Sequence, residues 1–339
     1  MGLKTYIGKR IMLLFFVLVG ISLISFFISH VIPGDPARLM AGTFARPEQI
    51  EQVREELGLD KPLYEQYYIY IKNLLHGDLG MSLHTRRSVA YDLKKYFAAT
   101  FELTTFSMLI TILVGVPIGI LSALHKNTFY DHIFRLFSLS GVGMPQFWLA
   151  MILQLIFCVK IGILPIQGRI ASTVIEQYPL HHITGLYLLD SLLTANWPVF
   201  KSSLSHILLP SLTLAYVSLA MVARMMRSNM LEVLNQEYIL TEKIYGIPEK
   251  KINYVYALKN AFIPTLTIIG LSYGYQLAGS VLIENIFSWP GLGRYAVVAI
   301  INADYPAIMG VVILSGFLYV IVNLIIDILY CVLDPRIKY

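Results

Sequence analysis

Apolar residues in this chain gather into long runs separated by polar stretches, and the length of the runs sets the architecture. A bilayer hydrocarbon core of about 30 Å needs roughly 20 mostly apolar residues per helix. Runs of that size lie at 11–32, 101–124, 133–159, 204–226, 262–283 and 307–331. They predict an all-α polytopic membrane protein with six transmembrane helices. Between the fourth and fifth runs lies a polar island, 237–264, whose apolar residues still keep helical spacing. Leu231, Leu234, Tyr238 and Tyr245 recur on one side of a Gly246-Ile247-Pro248 break, and Ile252, Val255, Tyr256 and Phe262 on the other. The island reads as helix, turn, helix, a folded element on which another protein can dock.

The remaining connections differ in kind. The first, 33–100, is too long for a simple loop; Glu48 onward and Tyr64 to Leu75 are helical in pattern, punctuated by Gly58, Asp60-Lys61-Pro62 and Gly77-Asp78. A small folded element is expected there. The connection at about 160–203 carries Pro165, Gly168, His181, His182 and Trp197 and is expected to be structured. No repeat of 20 to 50 residues is present, so 1–339 is expected to form a single transmembrane domain.

Composition agrees with a membrane protein. Of 339 residues, 56% are hydrophobic and 14% charged, and the mean hydropathy is +0.65. A net charge of +5 could suggest nucleic acid, but the basic residues flank apolar runs as cytoplasmic loops require. Lys4, Lys9, Arg10, Lys126, Arg135, Arg224, Arg227, Lys243, Lys250, Lys251, Lys259, Arg336 and Lys338 fall on one side. Outside the long first loop, only Lys160, Arg169, Lys201 and Arg294 fall on the other. Both termini and the polar island, 227–261 in its full extent, are therefore expected in the cytoplasm, and no nucleic-acid partner is expected. The first run is longer than a signal core and has no small-residue cleavage site, so it reads as an uncleaved span. Cys158 and Cys331 sit in or beside apolar runs and form no disulfide framework.

Chemistry-bearing patterns are sparse. No G-x-x-x-x-G-K-[ST] phosphate loop occurs, and neither H-E-x-x-H nor G-x-S-x-G with a positioned base is present. No catalytic residue and no metal site are expected, and His181-His182 reads as a surface pair. Small residues at Leu139-Ser140-Gly141-Val142-Gly143 suit a close helix contact better than a nucleotide loop. Ionisable residues near the membrane are functional candidates by default. Glu102 and Glu284 lie at the external ends of the second and fifth runs, close enough to the headgroups to reach water, and Asp327 near the cytoplasmic end of the sixth is expected to bond a helix end or a basic side chain. Prolines 117, 145, 210 and 264 fall in or beside runs two to five, and Gly115/Gly119 and Gly270/Gly274 have the spacing that lets helices approach closely.

Taken in order, the motifs resemble those of the inner-membrane permease subunits of ABC importers, in the dipeptide and oligopeptide family. They are Pro33-Gly34-Asp35-Pro36-Ala37, Leu57-Gly58-Leu59-Asp60-Lys61-Pro62, Gly77-Asp78-Leu79-Gly80, Gly185 to Leu193, Glu284 to Arg294, Asp304-Tyr305-Pro306 and Asp334-Pro335-Arg336. Glu237 and Gly246, followed by Ala257, Leu258, Asn260, Ala261 and Pro264, match that family's EAA loop. The resemblance implies the type I ABC importer permease fold. It also implies a coupling role toward an ATPase for Glu237, Tyr238, Thr241, Gly246, Ile247, Ala257 and Asn260. Glu242, Ile244 and Tyr245 depart from the small and basic residues usual there, and Tyr256 replaces a common His; Glu242, Tyr245 and Tyr256 are the places expected to be fitted to this permease's own ATPase. Glu102, Glu284, Pro145 and Trp289 are the candidates for the pathway or an external gate.

The resemblance further implies the partners: a homologous second permease, two ATPase subunits that carry the ATP and Mg, an extracytoplasmic substrate-binding protein, and the bilayer of a bacterial or archaeal cytoplasmic membrane. This chain itself is expected to bind no cofactor and to be no enzyme. Short peptides are the expected cargo, with nickel chelates, haem and antimicrobial peptides as alternatives. A secondary transporter or channel needs intramembrane ion or proton sites, and the runs are nearly free of carboxylates away from their edges.

Overall fold

In a computed structural model, residues 3–31, 36–41, 45–56 and 58–333 are described. Pro33, Gly34 and Asp35 of the first-loop motif, Leu57 of the second, and the terminal Asp334-Pro335-Arg336 lie outside the described residues. Among those described there is no strand, only an isolated bridge between Met81 and Ser88. Helix α1 is Leu3–Val31, and the first loop folds into α2 (Pro36–Ala41), α3 (Pro47–Glu56) and α4 (Leu63–Leu75). Both helices expected in that loop are thus present. Next come α5 (Val89–Leu124), α6 (Phe129–Gly143), α7 (Gln146–Lys160), α8 (Ser172–Gln177), α9 (Tyr187–Leu193) and α10 (Trp197–Leu234). The polar island supplies α11 (Glu237–Ile244), and α12 (Glu249–Ala278), α13 (Val281–Ile286), α14 (Leu292–Ile301) and α15 (Tyr305–Leu333) follow.

Among the described residues, four helices, α5, α10, α12 and α15, are long and apolar enough to cross a bilayer. The third expected span is broken: α6 and α7 meet at 106°. Pro145 causes the break, since it has no N–H and holds an extended ψ of 129° as the residue before α7. Taken as one path, the bent pair is a fifth span; the described apolar part of α1, Met12–Phe27, is shorter than the other spans. The fifth run also ends early. Gly279, with φ of +147°, stops α12 at Ala278 in a conformation that side-chain-bearing residues rarely adopt. Residues 281–286 therefore form the separate helix α13.

Helix α10 is the hub, packed by α5, α6, α9 and α12. Burial of an apolar side chain gains little in lipid, so close packing and interhelical hydrogen bonds hold such a bundle. Glycines provide the approach. A Cβ on Gly119 of α5 would lie 2.7 Å from the Ala223 carbonyl of α10, Gly141 of α6 sits against Ala220, and Gly270 and Gly274 of α12 receive Ile326 and Tyr319 of α15. Asn229 of α10 donates to the Ala261 carbonyl at 3.3 Å and to the Thr265 hydroxyl at 3.2 Å, joining α10 to α12 beside Pro264. Helix α15 in turn packs on α1, where Asp327 meets Arg10 at 3.0 Å, the basic partner expected for it.

Candidate functional site

Three zones lie along the hub: a cluster of carboxylates at one end, a cavity in the bundle, and the helix-turn-helix at the other end.

Glu102 and Glu284 do not reach water. Their relative exposures are 7% and 0%, because loops distant in sequence fold over them. Arg169, itself 8% exposed, donates from Nε to Glu102 at 2.8 Å and from Nη2 to the same oxygen at 2.5 Å. The Leu188 amide donates to the other oxygen at 2.7 Å. The Arg169 guanidinium also donates to the Gly185 carbonyl at 2.8 Å and lies 3.8 Å from the Tyr187 ring centre. A charge pair this buried needs such additional bonds to offset desolvation.

Glu284 explains the motif that begins with it. Its Oε1 accepts from the Thr100 hydroxyl at 2.7 Å and from Ser280 at 3.0 Å, and its Oε2 accepts from the Arg294 amide at 3.0 Å. The carboxylate thus sits at the N-terminus of α14, where amides and helix dipole favour an anion. A Cβ on Gly291 would fall within 2.5 Å of both carboxylate oxygens, and one on Gly293 would lie 2.7 Å from the Val281 Cα; glycine is the residue that leaves room. Trp289, 1% exposed, donates its indole N–H to the Ala99 carbonyl at 2.8 Å, and the Leu292 amide donates to the Thr100 hydroxyl at 2.8 Å. Trp289 is a buried strut pinning this loop to α5.

Other loop carboxylates act alike. Asp304 accepts from Ser82 at 2.5 Å and from the His84 amide at 3.1 Å, tying the start of α15 to the loop after Gly77-Asp78. Asp190 accepts from the amides of Ile183, Thr184 and Gly185 and from the Thr184 hydroxyl. Burial pushes its pKa up, but these bonds outweigh it and the net shift is downward.

Below this cluster is a cavity of about 580 Å³ between α7, α10, α12 and α13. Its walls carry Gln146, Ser218, Met221, Ser272, Tyr275 and Gln276 among apolar residues, and no charged side chain. Gln276 donates to the Ser218 hydroxyl at 2.8 Å while its own carbonyl oxygen is buried and unpaired within the chain. Pro145 lines a neighbouring hollow of about 510 Å³ with Met144, Phe147 and Trp148. Glu102, Glu284 and Trp289 are not among the residues lining either space. The cavity residues escape a search of the sequence for ionisable groups; the available signal was the uncharged polar residues, Ser218 and Gln276, inside apolar spans.

At the other end, α11 and α12 meet at Gly246, whose φ of +74° favours glycine. Ile239 points inward, fully buried with Met226, Met230, Ile252, Ala257 and Ala261. Ile247 packs against the same cluster, so Ile247 and Ala257 support the turn from inside. Glu237, Tyr238, Thr241, Gly246 and Asn260 are exposed, and Asn260 donates to the Tyr238 hydroxyl at 2.8 Å across the two helices. Ile244 and Tyr245 stand out at 77% and 81% exposure. Glu242 is half-buried with one carboxylate oxygen unpaired, whereas Tyr256 packs against the core. Helix α12 runs without a gap from this turn to the cavity wall, about 40 Å at 1.5 Å per residue.

A membrane-embedded bundle with a charge-free cavity and an exposed helix-turn-helix defines a transport component. Two family descriptions match in tandem: residues 3–104 the N-terminal part, and residues 115–339 the body, of a binding-protein-dependent transport system inner membrane component. The chain belongs to that family. It is 46% identical over 321 residues, 95% of this chain and 94% of the relative, to a probable D,D-dipeptide transport system permease of Escherichia coli. A dipeptide transport system permease of Alkalihalophilus pseudofirmus is 42% identical over 334 residues, covering 98% and 99%. A glutathione transport system permease of Escherichia coli is 36% identical over 334 residues, again covering 98% and 99%. The resemblance carried by the motifs is therefore borne out, and the chain is a multi-pass permease subunit.

Proposed function

We propose that this chain forms half of an ATP-driven translocation path for short peptides across the cytoplasmic membrane, with both termini inside. A homologous second permease supplies the other half, an extracytoplasmic binding protein delivers the peptide, and two ATPase subunits carrying ATP and Mg dock on α11 and its turn. The observation that carries the peptide reading is near-full-length similarity to two dipeptide permeases. The cavity supports it: its volume falls in the roughly 300–1,000 Å³ range that holds small organic ligands. Its amide and hydroxyl groups can hydrogen-bond peptide groups without selecting for side-chain charge. Glu237 and the Gly246 turn carry the coupling, and α12 transmits it to the cavity wall as a rigid lever.

Reconstitution tests the reading. Proteoliposomes holding the whole transporter, with ATP on the ATPase side, are expected to accumulate labelled L,L- and D,D-dialanine. Nickel chelates, haem and glutathione serve as comparators. Accumulation of a comparator in place of dipeptide would replace the cargo assignment. Transport that persists without ATP and collapses with an ion gradient would mark a secondary transporter instead.

A further inference from the structure

A second hollow, of about 270 Å³, lies where α5, α6 and α10 come together. Leu124 closes α5 and Phe129 opens α6, so this hollow lies toward the ends of two helices that the α5–α6 turn joins. Its lining includes Arg135 of α6 and Arg224 and Arg227 of α10. Three arginines in one crevice repel one another unless anions are near, and among the described residues the carboxylate bonded there is Asp131.

Asp131 is already saturated. Its Oδ1 accepts from the Ser122 hydroxyl at 2.6 Å and from Arg227 Nε at 2.7 Å; its Oδ2 accepts from the Asn127 amide at 3.0 Å and from Arg227 Nη2 at 2.8 Å. Arg227 is thereby neutralised and fixed. Arg135 and Arg224 are exposed, and among the described residues neither has an ion pair or hydrogen bond. Two positive charges are left over. The lining joins apolar Ile118, Phe134 and Leu139 to the hydroxyls of Ser122, Ser138 and Ser228, and Leu139 is 62% exposed.

We propose that this crevice binds the headgroup of an anionic phospholipid, its phosphate between Arg135 and Arg224 and an acyl chain along Phe134 and Leu139. Planar guanidinium groups hold phosphate oxygens bidentately, and basic pockets between helices at the cytoplasmic surface suit such headgroups. The combination of apolar side chains and unpaired cations in one crevice matches a lipid, which has both parts; a soluble partner's carboxylate would leave the apolar side chains uncovered. The inference needs the chain to be in a bilayer and does not depend on what it carries.

The test is native mass spectrometry of the full chain in its transporter, released from membranes into detergent, together with titration by phosphatidylglycerol against phosphatidylcholine. Wild type is expected to retain anionic lipid. Arg135→Gln/Arg224→Gln is expected to lose it, with affinity for phosphatidylglycerol lower by roughly thirtyfold, about fivefold per cation. The Lys/Lys variant is expected to keep the preference for anionic lipid, which separates charge from misfolding. Equal anionic-lipid retention by wild type and the Gln/Gln variant overturns the proposal. So does inorganic phosphate that displaces the lipid at equal concentration, which marks a free-anion site. Unchanged lipid with loss of the second permease or ATPase from the Gln/Gln variant also overturns it, in favour of a protein partner.

Discussion

The two ends of this bundle are built on opposite principles. At one end, Glu102, Glu284, Asp190 and Asp304 are buried and bonded: Glu102, Glu284 and Asp304 accept from groups 67, 184 and 222 positions away, and Asp190 from its neighbours Ile183, Thr184 and Gly185. At the other end, α11 presents Leu240, Ile244 and Tyr245 to solvent at 61%, 77% and 81% exposure, beside a Glu242 oxygen with no donor. One end is complete within the chain and the other is unfinished. A closed hydrogen-bond network resists deformation, because breaking one member leaves a buried charge; an exposed apolar helix gains stability when a partner covers it. In the proposed coupling, a partner's push would enter at the α11–α12 turn and move α12 against the closed network at the other end.

Substitutions can break that contrast. Gly246→Pro is expected to have the largest effect: it removes the 3.0 Å bond from the Gly246 amide to Lys243 and cannot adopt a positive φ. The complex should still assemble in membranes while ATP-dependent uptake is abolished; normal uptake would show that coupling does not pass through this turn. At the end where the carboxylates are buried, Glu102→Ala strands the Arg169 charge, and a loss of about 3–5 kcal/mol is expected, read as a lower melting temperature in detergent. Adding Arg169→Met should restore much of it, and a double variant as unstable as the single one would refute the ion-pair account.

Smaller effects refine the comparison. Gly291→Ala pushes a methyl against the Glu284 carboxylate and is expected to cost about 1–3 kcal/mol, with ATPase binding unchanged. Tyr245→Ala should do the reverse, leaving the melting temperature of the isolated chain alone while weakening ATPase co-purification by about tenfold, near 1.4 kcal/mol. Last is the acid response of Asp190. Its folded pKa lies below the unfolded value, so its contribution is present above the ordinary aspartate pKa of about 3.9 and fades as pH falls through the lower folded value. Asp190→Asn should flatten that part of a stability-against-pH curve; an unchanged slope would assign it to another group.

Local chemistry made a large part of this legible in advance. Hydropathy runs placed α5, α10, α12 and α15, the Gly246-Ile247-Pro248 break placed the turn, and glycine spacing marked contacts at Gly119 and Gly270 that the helices use. Helix length and turn chemistry depend on residues adjacent in the chain, so a linear reading captures them. The third span was read as continuous although Pro145 lay within it, because apolar character persists across a bend that hydropathy does not register.

What only the tertiary structure decided is which groups are buried and by whom. Arg169 is 67 positions from Glu102, and Thr100 is 184 from Glu284; no periodicity relates residues so far apart. Glu102 and Glu284 were expected at the water's edge because they lie at run ends, and became internal because loops 160–203 and 284–306 fold over them. The same holds for Gln276 and Ser218, whose meeting depends on the crossing of α10 and α12. The sequence by itself determined most of the helices and the Gly246 turn; the crossing of those helices and the closure of the loops decided the cavity, the sealed carboxylate cluster and the arginine crevice.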